Sequence, residues 1–205
     1  MAPIKRCPWT GNDALMIGYH DTEWGVPLHE DRRIYEFLVL EGMQAGLSWS
    51  TVLRKRENFR AAFRGLDPAL VAEFGSRDIE RLLSDPGIIR NRMKIEAAVT
   101  NARNFLAVRE EFGSFDRYLW EFVGGKPVQN RFRKTSEIPP TSDESDRISR
   151  DMKQRGFKFV GSKIIYAHMQ ATGMVNDHLT SCFRYKQIHA MLKSTGRDDI
   201  AVKLK

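Results

Sequence analysis

Residues 30–63 read EDRRIYEFLVLEGMQAGLSWSTVLRKRENFRAAF, and the spacing within them sets the fold class. Ile34, Phe37, Leu38 and Glu41 fall at i, i+3, i+4 and i+7, the stripe of one helical face over residues 30–44. Val52, Leu53, Phe59 and Phe63 repeat that period over 49–63. Outward from there the pattern persists. Asp67-Pro68 is an N-cap followed by proline at the first helical position, opening a short helix through Phe74. Ser76 caps a further helix carrying Ile79, Leu82 and Leu83 on one side, and helices are predicted over 88–109 and 114–123. Thr141 with Glu144 makes a capping box before a helix that stops at Gly156, and a last helix over 162–172 closes at Gly173. Residues 123–141 are polar and irregular, a loop able to order on a partner. FKFVG at 157–161 is a short extended run with no second strand to pair with. The class is all-α.

The bulk properties bound the function. The chain has 205 residues, 41% hydrophobic and 29% charged, which excludes a wholly disordered protein. A chain this long builds its own core without disulfide staples. No apolar run approaches the ~20 residues of a membrane span. The N-terminus MAPIKRCPWTGND turns polar at once, so the expectation is a soluble cytoplasmic protein with no membrane association. A net charge of +7, concentrated in residues 54–103 and 183–205, suits a polyanionic partner such as nucleic acid, or equally a plain soluble surface.

Three constellations carry chemistry. Only two cysteines occur, Cys7 and Cys182, and each has a histidine within reach: His20 after the first, His178 before the second. If a helical turn opens at Asp177, His178 and Cys182 share a face at i, i+4. Together the four match a closed Cys2His2 metal site joining the two ends of the chain; the alternative is two buried thiols and two satisfied histidines. Glu41 is the second: a carboxylate at a stripe position where an apolar residue is expected has either a structural partner or a function. Trp9, Trp24, Trp49 and Tyr19 crowd the same part of the sequence, as core or as a pocket for a flat cationic ring. The third is SDPGIIRNRMK at 84–94, a Pro-Gly turn before a long helix. Its backbone N–H groups, with Gly87 and Ile88 in the turn and Arg90, Arg92 and Lys94 beside it, resemble the phosphate-binding hairpin of helix-hairpin-helix proteins.

Four stretches then align with one family: YHDTEWGVP at 19–27, LEGMQAGLSWSTVLRKRENFR at 40–60, DPGIIRNRMKI at 85–95, and RGFKFVG with MVNDH at 155–161 and 174–178. With Cys7 and Cys182 they resemble the 3-methyladenine DNA glycosylase I family over nearly the whole chain. The resemblance implies the helix-hairpin-helix glycosylase fold over residues 1–182; the basic C-terminal tail, 183–205, is longer and more basic than the family leads one to expect, a segment that either touches DNA or trails in solvent. It implies one structural zinc ion per chain on Cys7, His20, His178 and Cys182, and no organic cofactor. It implies hydrolysis of 3-methyladenine from double-stranded alkylated DNA by a monomeric, monofunctional enzyme. Glu41 matches the pocket glutamate of the family, Trp49 and Tyr19 its stacking aromatics, with Trp9 and Trp24 as further walls. The family lacks the catalytic aspartate of other glycosylases on this fold. Gly46 and Leu47 follow Glu41 on a turn, and Leu47 is either a wedge into the gap left by a flipped base or plain core packing. One departure stands out: where the family often has a second pocket tyrosine, this chain has Met16, which keeps ring contact and loses a hydroxyl. The rival readings are a zinc-stabilised DNA-binding module without catalysis, a zinc protein for protein partners, and a glycosylase of altered lesion range.

Overall fold

The computed structural model describes residues 4–191. Ten helices run through it: α1 Ala14–Thr22, α2 Asp31–Gln44, α3 Trp49–Arg54, α4 Arg56–Ala62, α5 Pro68–Ala72, α6 Ser76–Ser84, α7 Arg92–Phe112, α8 Phe115–Glu121, α9 Asp143–Gln154 and α10 Ser162–Ala171. Residues 183–191 form one more helical stretch. Two short strands, β1 Val128–Gln129 and β2 Val175–Asn176, pair in parallel, a minimal ladder that the sequence pattern does not announce.

The helix α2 is the axis of the molecule, and here the amphipathic reading needs correction. Every residue from Ile34 to Met43 is buried, not one stripe. The helices α7, α10, α3 and α8 all pack against it, which leaves no solvated face. Its other polar residue, Glu36, is buried because Arg56 and Arg60 reach it at 2.5 and 2.8 Å. Tyr35, equally buried, donates its hydroxyl to the Ala98 carbonyl on α7 at 2.9 Å.

Local chemistry shifts several boundaries. The helix expected over 49–63 breaks at Lys55, whose amine turns away to the Pro86 and Gly87 carbonyls at 3.0 and 3.1 Å. The helix expected from 88 begins only at Arg92, because Asn91 caps it by accepting the Lys94 N–H. The capping box of α9 is Ser142 with Ser145, one residue beyond Thr141 with Glu144. Residues 157–161 are not a strand: Asn101 clamps Lys158 through both N–H and carbonyl, and Phe159 takes φ +53. Gly173 ends α10 at φ +69 against the backbone of Val26, where a Cβ would sit 2.3 Å from a carbonyl carbon. Residues 183–191 are not a free tail, since Ile188 and Arg184 are buried; residues 192–205 of the expected basic segment lie outside the described residues.

The core has two parts. The larger joins α2 with α4 to α10. The smaller gathers Cys7, Tyr19, Trp24, Phe37, Leu53, Leu179 and Cys182, so the two ends of the chain meet beside one face of α2. Glu41 lies on that helix.

Candidate functional site

A cavity of about 400 Å³ opens on that face, lined by Trp9, Met16, Tyr19, Trp24, Glu41, Gln44, Trp49, Thr135, Ile138, Ala167 and Gln170. The aromatic walls support one another: the rings of Tyr19 and Trp49 are 5.2 Å apart, and those of Trp9 and Trp24 are 5.0 Å apart. Behind them Phe37 stacks on Trp49, and the Arg56 guanidinium lies 5.1 Å over Phe37, held by Glu23 and Glu36.

Glu41 is only 4% exposed, and its carboxyl makes no hydrogen bond or ion pair with the described residues. Burial pushes its pKa up to about 8. A structural carboxylate would have found a donor; this one is left facing the cavity. Burial, then the nearby Glu41 and Glu23, hold the Tyr19 phenol well above its ordinary range, so it stays a neutral hydroxyl. The indole N–H groups of Trp9 and Trp49 are also buried without partners. An aromatic cavity with an unpaired acid is a site for a flat polar ring.

A second cleft of about 210 Å³ runs from Glu41 and Gln44 past Ala45, Gly46 and Leu47 to Lys163 on α10. Gly46 turns the chain at φ +79, a conformation that favours glycine, and Leu47 is 42% exposed at the tip. Ser48 then caps α3 through the Thr51 N–H.

The hairpin 85–91 connects α6 to α7. Asp85 accepts the Gly87 N–H at 2.7 Å, and Asn58 and Lys55 hold the Gly87 carbonyl. A Cβ at Gly87 would sit 2.9 Å from Asp85 Oδ1. Of the residues expected to meet a nucleic acid here, Ile88 presents only its backbone and Lys94 turns its amine inward. Ile88 is 3% exposed and belongs to the core. Lys94 is buried, and its amine donates to the Met43 and Ala45 carbonyls at 2.8 and 2.6 Å, closing the C-terminus of α2. Arg92 is exposed and paired with Glu80 at 2.7 Å. Arg90 is exposed. The charge of Lys94 was visible in the sequence, but its commitment to α2 was not. Lys94→Met is therefore expected to lower stability by about 1–3 kcal/mol, because it leaves two carbonyls unmet. Urea unfolding checks it; a change below about 0.5 kcal/mol, as at a free surface lysine, would contradict it.

Cys7, His20, His178 and Cys182 are all buried, with their ligand atoms within 4.8 Å of one another. The Cys182 sulfur lies 3.4 Å from His20 Nε2 and 3.7 Å from His178 Nδ1, which is also 3.7 Å from the Cys7 sulfur. Around a tetrahedral zinc, sulfur and nitrogen ligands stand roughly 3.5 Å apart, so the group fits that ion. The outward nitrogens are oriented for it: His20 Nδ1 donates to Asp21 at 2.7 Å, and His178 Nε2 donates to the Trp24 carbonyl at 2.9 Å. Asp21 is held in turn by Arg6. The Cys7 thiol, then His178 and His20, drive Cys182 toward the thiolate a metal takes. The His178–Cys182 pair meets through a turn, not a helix, with the Cys182 N–H on the Leu179 carbonyl.

Sequence reading missed Gln44, Thr135, Ile138, Ala167 and Gln170 in the cavity and Lys55 behind the hairpin. Ile138, before a Pro-Pro pair inside a polar stretch, was the one local signal that residues 123–141 are anchored. The rest depend on contacts distant in sequence.

Comparison with known proteins follows the same outline. Residues 9–185 match the methyladenine glycosylase family. DNA-3-methyladenine glycosylase 1 of Escherichia coli K12 is 48% identical over 182 residues, covering 89% of this chain and 97% of that protein. A crystal structure of 3-methyladenine DNA glycosylase I superposes with a TM-score of 0.85 at 49% identity, over 87% of this chain and 98% of the other. The Staphylococcus aureus enzyme, solved for the structural basis of its 3-methyladenine recognition, has a TM-score of 0.84 at 36% identity, over 87% and 95%.

Proposed function

This chain belongs to the methyladenine glycosylase family, and we propose on that premise that its cavity receives 3-methyladenine flipped out of an alkylated duplex and holds it against Glu41. The protein is a DNA repair glycosylase, a hydrolase of N-glycosyl bonds. The observation that carries the reading of the site is Glu41, buried, unpaired and walled by aromatic rings.

The chemistry follows from the substrate's charge. Methylation at N3 makes the base cationic while it is attached to the sugar, and weakens the C1′–N9 bond. With a pKa of about 8, Glu41 is mostly neutral at pH 7 in the free protein. A cationic ring packed on the wall that Tyr19 and Trp49 form draws the carboxyl back down and releases its proton to solvent. The carboxylate then accepts a hydrogen bond from the exocyclic amine. When the bond breaks, its electron pair goes to the base, which leaves neutral. The sugar passes through an oxocarbenium-like state favoured by the negative field of Glu41. Water adds at C1′ and gives up a proton. In this reading water, and not Lys163 of the adjoining cleft, is the nucleophile, and the reaction is monofunctional.

DNA is met by the hairpin backbone with Arg90, and by Leu47, which wedges into the vacated stack. Met16, on the cavity wall, gives this chain an apolar contact in place of a hydroxyl and so tunes its lesion range. The four-ligand group holds zinc in a structural role, tying Trp9, Tyr19 and Trp24 into one wall. No described helix is long and apolar enough to cross a membrane. We place the protein as a cytoplasmic monomer acting beside chromosomal DNA.

Two outcomes test this. From methylated duplex, free 3-methyladenine appears and the strand stays intact until alkali opens the abasic site; strand breakage without alkali would overturn the monofunctional reaction. Leu47→Ala is expected to keep its melting temperature, as a half-exposed residue does, and to lose base release by roughly tenfold. Unchanged single-turnover release would remove Leu47 from the mechanism.

A further inference from the structure

We propose that Gln170 determines specificity: its amide oxygen, fixed toward the cavity by Asp177, accepts a hydrogen bond from the 6-amino group of the flipped base and so favours methylated adenine over methylated guanine. The inference rests on the glycosylase reading of the cavity.

The orientation of the Gln170 amide is forced. Gln170 lines the cavity from the last turn of α10. Behind it, Asp177 is 1% exposed and receives three donors: the Tyr166 hydroxyl at 2.7 Å, the Asn130 amide at 2.6 Å, and Gln170 Nε2 at 2.7 Å. A carboxylate only accepts, so the amino end of the Gln170 amide must face it. Reversal would set oxygen against oxygen in a buried place. The opposite end, Oε1, makes no hydrogen bond among the described residues. An amide side chain otherwise offers either end to a ligand; this one is restricted to an acceptor.

At position 6 adenine carries an amine with two N–H donors, and guanine carries a carbonyl. One amine meets both Glu41 and Gln170 Oε1. A guanine carbonyl in that place opposes an acceptor that cannot turn over, and an unmet buried polar group discriminates strongly. The N3-methylated bases of both kinds are cationic and labile, so a preference between them reports recognition and not bond strength.

The experiment measures release of 3-methyladenine and 3-methylguanine from the same dimethyl sulfate-treated duplex, by the full-length wild type, Gln170→Met and Asp177→Asn. The asparagine offers Gln170 Oε1 a donor and so permits the amide to reverse. Wild type is expected to favour 3-methyladenine by about tenfold or more, and each folded variant to reduce that ratio by about tenfold. Equal release of the two bases by wild type would overturn the proposal whatever the variants do. So would an unchanged ratio in either folded variant. Release of neither base by wild type would overturn the glycosylase reading itself.

Discussion

Glu41→Gln is expected to make the protein more stable at pH 8.5 and a much poorer glycosylase at pH 7. The sign follows from where the proton sits. The folded carboxyl holds its proton up to about pH 8, while the unfolded one releases it near the ordinary value of 4.5. Between those values the folded state binds more protons, so wild-type stability falls as pH rises from about 4.5 to about 8 and is unaffected below that window. The shift corresponds to on the order of 5 kcal/mol as an upper bound. A glutamine carries no charge to desolvate. The gain from Glu41→Gln is therefore small at pH 4.5 and largest above pH 8, readable by urea unfolding at the two pH values. Release of 3-methyladenine falls by roughly a hundredfold, the scale of losing a charge placed for a transition state. A structural glutamate behaves the opposite way, with its removal destabilising at every pH above 4.5. That result would sink the functional assignment of this carboxylate.

The second large effect is loss of the metal. One zinc per chain is expected in protein purified without chelator. Its removal, or Cys182→Ser, should lower stability by about 3–5 kcal/mol, the scale of opening a long covalent loop. The ligands come from N- and C-terminal segments, and three of the four adjoin a cavity wall: Cys7 near Trp9, His20 beside Tyr19, His178 bonded to the Trp24 carbonyl. Loss of the clip loosens that wall, so base release falls with stability. Metal analysis and thermal melts with and without chelator decide it. Less than one equivalent of zinc, with an unchanged melt in chelator, would leave the four residues as buried thiols and satisfied histidines.

Much of the site was readable in the sequence because its signals are local. An acid in an apolar stripe, aromatics within 49 residues of the N-terminus, and cysteines each with a histidine nearby are properties of short segments. What escaped depends on contacts between distant segments. Lys94 reads as a phosphate ligand in a basic run, and only the approach of α2, about fifty positions earlier, shows its amine engaged. Ile88 sits in the hairpin motif yet faces the core. The spacing in α2 shows one apolar face; the burial of Glu36 on the other depends on Arg56 and Arg60. Gln170 had no signal of its own, since Asp177 gives it direction from another segment and is itself held by Asn130. Periodicity shows which side of a helix is apolar, not how many neighbours will cover it.

The most direct test of the central claim is single-turnover release of 3-methyladenine from methylated duplex at pH 7, with wild type, Glu41→Gln and Trp49→Ala side by side and folding verified for each. Wild type is expected to release free 3-methyladenine, and both variants to lose roughly tenfold or more while their melts stay cooperative. Wild-type release matched by both folded variants would show that the base leaves from somewhere other than this cavity.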